Sequence, residues 1–166
     1  MGQILGTLTG LIVAFVMCFL LLTFGALMPS QLIDAATVLD FLSSTDLEIR
    51  LAVVGTVLYP PLLGTQLGVG AQSSTVLMFL AWGTGGLIAG LMTRNVPPAV
   101  FAAVFSVIIG AFLTWLLVFF INTLDFAAIF GGESLLLLQF VLEGCLYPVI
   151  AAGIGGALGG AITRER

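Results

Sequence analysis

The chain contains no histidine and no lysine, and its bases are Arg50, Arg94, Arg164 and Arg166 alone. A nucleic-acid surface needs a dense basic patch, so that class of partner is excluded. With no histidine, and with its two cysteines far apart at positions 18 and 145, the chain offers no metal-ligand cluster by spacing. Nucleophilic catalysis has no visible nucleophile–base pair, and the glycine runs lack the lysine that a phosphate-binding loop requires. The sequence therefore reads as non-catalytic, without metal or cofactor. Cys18 and Cys145 both lie in apolar runs and read as small buried hydrophobes.

Charge of either sign is scarce. Only 7% of the 166 residues are charged and 60% are hydrophobic, with a mean hydropathy of +1.27. A soluble domain of this size needs far more charge to cover its surface, and lipid removes that requirement. The expectation is one all-α membrane domain over 1–166, a polytopic helical bundle. The first residues, MGQILG, lack a basic region and lead into an apolar run longer than a signal peptide needs, so they read as part of a retained span. Gly2 and Thr7 approach a myristoylation pattern, but the hydroxyl falls one position late.

Crossing about 30 Å of hydrocarbon takes about 20 apolar residues. Four stretches qualify, at about 4–28, 75–93, 98–122 and 136–162. Pro97-Pro98 marks the turn between the second and third, and Gly131-Gly132 the break before the fourth. Arg94, Arg164 and Arg166 follow the second and fourth spans, on one side of the membrane. The positive-inside rule assigns that side, and both termini, to the cytoplasm of a cell-membrane protein. Asp34, Asp40, Asp46, Glu48, Asp125 and Glu133 then gather on the other side, with Arg50 as their one base.

Between the first two spans lies a segment of another kind, about 30–70. Residues 30–42 form an amphipathic stretch with Leu32, Ala35, Ala36 and Leu39 on one face and Asp34, Thr37 and Asp40 elsewhere. Thr45 and Glu48 then have capping-box spacing and open a helix that meets Pro60-Pro61. From Asp46 to Tyr59 that helix covers only about 21 Å. Its continuation is broken by glycines and Gln66. Two readings stay open: a re-entrant or interfacial segment, which is preferred, and a kinked fifth span over about 47–70.

Residues 83–94, GTGGLIAGLMTR, recur almost unchanged as GIGGALGGAITR at 153–164. Gly83, Gly86 and Gly90 share one helix face, while Gly155 with Gly159 and Gly156 with Gly160 make two four-residue pairs. Membrane helices gain little by burying leucine against leucine, so small residues that admit close backbone approach supply the packing. The repeat therefore predicts tight helix contacts within or between subunits, with an arginine anchoring each helix end. A glycine-lined transport path is the less specific reading.

Two places could carry chemistry. Glu143 is the one acid inside an apolar span and is a candidate proton or cation site, although its position near the outer boundary also lets it reach water. Tyr59, Pro60, Pro61 and Gln66 mark a candidate broken helix, whose free carbonyls must be bonded by neighbours, water or a cation. The GxGGxxAGxxT span, the proline turn, the small-residue third span and the final GxGGxxGGxxT span over about 75–166 resemble the small glycine-rich four-span membrane proteins, of no assigned activity, of archaea and some bacteria. That resemblance implies a fold alone. The expected function is an accessory or structural subunit of a membrane complex or homo-oligomer, with the lipid bilayer and other membrane subunits as partners. The alternative is a small ion or solute channel using Glu143 and the Tyr59–Gln66 region.

Overall fold

A computed structural model describes residues 2–27, 35–60, 75–123, 139 and 142–164. Among them the regular elements are helical: α1 (Gly2–Thr23), a short 3-10 turn (Gly25–Leu27), α2 (Ala35–Ser43), α3 (Leu47–Leu58), α4 (Thr75–Thr93), α5 (Val96–Thr123) and α6 (Leu146–Ile162). Four segments, Gly2–Thr23, Val76–Thr93, Val96–Leu117 and Leu142–Ile162, are long and apolar enough to cross a membrane. The chain is a multi-pass integral membrane protein with an all-α bundle fold.

Contacts between small residues set the helix directions. A methyl group placed on Gly2 would lie 3.2 Å from Met92 O, one on Gly6 would lie 2.9 Å from Ala89 O, and one on Gly10 would lie 2.9 Å from Gly85 O. The numbers fall along α4 as they rise along α1, so these helices are antiparallel. Ser106 Oγ of α5 lies 2.6 Å from Thr7 O, and Gly110 abuts Leu11 and Phe15. The numbers rise together, so α5 runs parallel to α1. By the same argument α6 is parallel to α4 and antiparallel to α5, through Gly156 on Ala99 and Ala103 and Gly160 on Asn95 and Val96. The start of α1, Arg94 and Thr163 therefore share one end of the bundle, called the arginine end below.

Several local expectations are corrected. The third span begins at Val96, so Pro97 and Pro98 sit inside the first turn of α5 rather than in the connection. The first amides of a helix have no intrahelical acceptor, and proline loses nothing there. The turn is made instead by Arg94 and Asn95, with Arg94 at a left-handed φ of 60°. Its amide still reaches Gly90 O at 3.2 Å, which closes the end of α4. The first span ends at Thr23, short of residue 28. The fourth is described from Leu142, with Gln139 also helical; Gly131, Gly132, Asp125 and Glu133 lie outside the described residues.

In α2 the buried face is Thr37, Val38 and Phe41, whereas Leu39 is 65% exposed and Ala35 and Ala36 are also exposed. The expected apolar face is thus turned outward. Phe41 decides the rotation: its ring meets Phe19 of α1 edge-on at 5.0 Å, and Val38 packs on Gly25. Asp34 and Leu32 lie outside the described residues. The capping box does not form either. Asp46, not Thr45, occupies the N-cap of α3 and makes no side-chain cap bond. The corner is held by Arg50, whose Nε donates to Ser44 O at 2.8 Å and whose guanidinium lies 5.6 Å from the Phe41 ring centre.

Candidate functional site

Helix α3 is the element that brings the candidate residues together. Gly55 rests on Thr114 of α5, and Tyr59 reaches farther in, its hydroxyl against Gly110 and donating to Val107 O at 2.7 Å. Val107 lies near the middle of α5, so the tip of α3 reaches deep into the bundle from the end opposite Arg94. At 12 residues α3 is about 18 Å long and cannot cross by itself. Val54, Val57, Leu58, Tyr59 and Pro60 are all buried.

A helix that stops inside a bundle leaves carbonyl oxygens to be bonded. The tip of α3 answers with Trp82 of α4, whose indole Nε1 donates to Leu58 O at 3.2 Å. The Tyr59 and Trp82 rings pack edge-on at 5.5 Å, and Trp82 is wholly buried. Trp82 and Val107 were not singled out in the sequence. A tryptophan inside an apolar span was the available signal, because its N–H requires an acceptor when buried. Tyr59→Phe is expected to lower thermal stability by about 1 kcal/mol, since one interhelical bond goes while Val107 keeps its helical partner. Melting of both proteins in the same detergent measures this.

The Glu143 turn joins the same place. Gly144 is pressed against the backbone of Tyr59 and Pro60, where a methyl would lie 3.0 Å from Tyr59 O and 3.2 Å from Pro60 O. Glu143 is half-buried. Its Oε1 accepts from Gln139 Nε2 at 3.2 Å, and its Oε2 is buried with no partner. Pro148, in the first turn of α6, has no N–H for Gly144 O. The structure thus brings Glu143 beside Tyr59 and Pro60, while Pro61 and Gln66 lie outside the described residues. Among the described residues no three acidic, cysteine or histidine side chains form a group able to hold a metal ion.

The repeated glycines lie at the other half of the bundle. Gly86 packs on Ala152, Gly90 on Gly156 and Gly160, Gly155 on Gly83, and Gly159 on Leu87, each against backbone atoms. Gly83 contributes its carbonyl to Gly155 while the position of its own missing side chain is open, as is that of Gly153. Gly85 faces away from this seam, onto Gly10 and Ala14 of α1. The sequence reading missed the matching ladder in α1. Gly2, Gly6, Gly10, Ala14 and Cys18 recur every fourth residue, and from Gly6 onward all are buried.

Among the described residues, the hollows at the bundle's margins include the following. One of about 320 Å³ follows the α4–α6 seam past Gly83, Leu87 and Leu158. Another, about 400 Å³, lies between Gln3, Leu8 and Phe105. The third, also about 400 Å³, is walled by α1, α3 and α5. Each has exposed leucine, isoleucine or phenylalanine in its lining, so each opens sideways onto the outer surface. No protein-family model, curated protein or solved structure matches the chain.

Proposed function

We propose that the protein is a non-catalytic accessory or structural subunit of a membrane complex or homo-oligomer. The observation that carries this reading is the backbone-to-backbone closure of α4 on α6 at Gly86, Gly90, Gly155 and Gly159, which confines the hollow along that seam to its outer margin. Its outer surface is apolar in long ridges, such as Ile4, Leu8, Ile12, Val16 and Leu20 on α1 and Ile150, Ile154, Leu158 and Ile162 on α6. Lipid and partner helices are the occupants such ridges fit. Most of the repeat glycines are spent on contacts within the chain, and only open space adjoins the missing side chains of Gly83 and Gly153. In this reading the arginine end, with both termini, faces the cytoplasm of a cell-membrane protein.

Native mass spectrometry after gentle nanodisc extraction tests the proposal. A reproducible stoichiometric assembly, with unlike chains or with copies of itself, is expected. A lone monomer under all extraction conditions rejects it. The second reading, a small ion or solute channel, draws on the unpartnered Glu143 Oε2 beside Tyr59 and Pro60. It requires ion flux in liposomes that Glu143→Gln abolishes, and no such flux is expected. The orientation has its own test. Asn95→Cys, in a chain with both native cysteines replaced by alanine, is expected to react with an impermeant maleimide only from the cytoplasmic face.

A further inference from the structure

The buried polar side chains fall into two groups. Where α1 meets α5 they are bonded: Thr7 Oγ1 donates to Gln3 O at 2.9 Å, and Ser106 Oγ lies 2.6 Å from Thr7 O and 2.9 Å from Ala102 O. Thr37 and Thr114 are buried as deeply, at 6% and 3% exposure, yet neither hydroxyl has a partner. Among the described residues, Ser44 Oγ and Glu143 Oε2 are also buried and unbonded. All four belong to the α2–α3 segment or lie against it. Thr37 is on the buried face of α2, and Ser44 is at the corner before α3. Thr114 packs on Gly55 of α3, and Glu143 precedes Gly144, which meets Tyr59 and Pro60.

Thr114 shows the cause. Thr7, Thr9, Thr23, Thr84 and Thr163 each donate to the carbonyl four residues back, which lets a hydroxyl sit in an apolar helix with its bond made. For Thr114 that carbonyl belongs to Gly110. Helix α3 occupies both places, with Gly55 against the Thr114 side chain and the Tyr59 hydroxyl against Gly110. A buried hydroxyl without a partner raises the energy of the docked arrangement alone. Once α3 leaves, Thr114 can bond Gly110 O like the other threonines, and Thr37 and Ser44 regain water. Two bonds act the other way, from Tyr59 to Val107 O and from Trp82 to Leu58 O. The composition of the segment also suits a place outside the bundle. Asp40, Asp46, Glu48 and Arg50 gather at its corner, beside exposed Leu39, Leu42, Leu47 and Ile49, the make-up of helices that lie in the membrane interface.

We propose that α2–α3 is a lid with two positions. In the docked position the tip of α3 sits among Trp82, Val107 and Gly144. In the withdrawn position α3 lies along the interface, and the Trp82 N–H, Thr114 and the Glu143 turn are uncovered. Elements that move are drawn from the least stable parts of a fold, and here the unbonded oxygens identify that part. The lid is independent of the subunit assembly proposed above.

The test is the distance between spin labels at Thr56→Cys and Asn95→Cys, both exposed positions, in the full chain in nanodiscs with Cys18→Ala and Cys145→Ala. Pulsed double electron resonance is expected to give two distances. The longer exceeds the shorter by up to about 9 Å, the rise of the six residues from Arg50 to Thr56. Trp82→Phe, which loses the donor to Leu58 O, is expected to raise the longer-distance population several-fold. Thr114→Val keeps the shape and removes the unbonded hydroxyl. Added to the parent or to Trp82→Phe, it is expected to lower the ratio of longer to shorter about fivefold. A contact that merely holds α3 in place predicts the opposite sign. The lid is overturned if neither the parent nor Trp82→Phe shows a second distance, or if Thr114→Val leaves the ratio unchanged or raises it.

Discussion

Gly90→Ala is expected to force α4 and α6 apart and lower stability by about 3 kcal/mol, at the upper end of what overpacking one methyl costs. The added carbon falls against Gly156 O, 2.8 Å from Gly160 N and 2.9 Å from Gly159 Cα. All three are backbone atoms, so no rotamer change relieves the clash and a whole helix must move. That movement also strips dispersion contacts from the seam, the main attraction between helices in a solvent as apolar as their side chains. Gly153→Ala is the control, placed in the second copy of the same motif, because nothing lies within 4 Å of its missing side chain. It should change stability by less than about 0.5 kcal/mol. Thermal unfolding of both variants in one detergent decides the matter, and equal shifts would sink the argument.

Trp82→Ala is expected to have an effect of the same size, about 3 kcal/mol, and to loosen the tip of α3. It removes the largest wholly buried side chain among the described residues, the edge-on partner of Tyr59 at 5.5 Å and the donor to Leu58 O. The freed carbonyl then has no water at hand, which adds to the loss of packing. Trp82→Phe keeps an aromatic ring but not the N–H, and about 1–3 kcal/mol is expected. A second readout follows from position: Cys145 adjoins Gly144, which is pressed on Tyr59 and Pro60, and is buried. In a Cys18→Ala background, maleimide labelling of Cys145 should accelerate markedly in Trp82→Ala. An unchanged rate would mean that α3 does not depend on Trp82.

Much of the architecture was legible from composition and spacing. Apolar runs of membrane length, flanked in part by the few arginines, locate the four spans, because lipid demands continuous apolar helix and accepts little else; Pro97-Pro98 marks the start of a helix and not the connection before it. The recurrence of glycines at 83–94 and 153–164 marks where backbones can meet. What stayed hidden was which neighbour each glycine meets. Gly85 and Gly86 are adjacent in sequence, yet one faces α1 and the other α6. A helix turns 100° per residue, and only the placement of the other helices assigns a partner to each face.

The region before the second span was less legible, and for a related reason. Its helices are governed by partners outside each helix: Phe41 turns α2 toward Phe19, Arg50 bonds the corner before α3 in place of a capping box, and Trp82 bonds the end of α3. Local capping and amphipathic rules describe a helix alone at an interface, whereas these helices are packed. The buried hydroxyls of Thr37 and Thr114, which have no hydrogen-bond partner while Thr84 donates to Leu80 O, belong to the same class of fact. The sequence by itself determined the solvent, four long apolar runs and the glycine repeat where α4 and α6 close, all of which follow from single-residue chemistry and period. Only the tertiary structure decided which faces meet, how deep α3 reaches and where a polar group is left without a partner, because those depend on atoms brought together from distant parts of the chain.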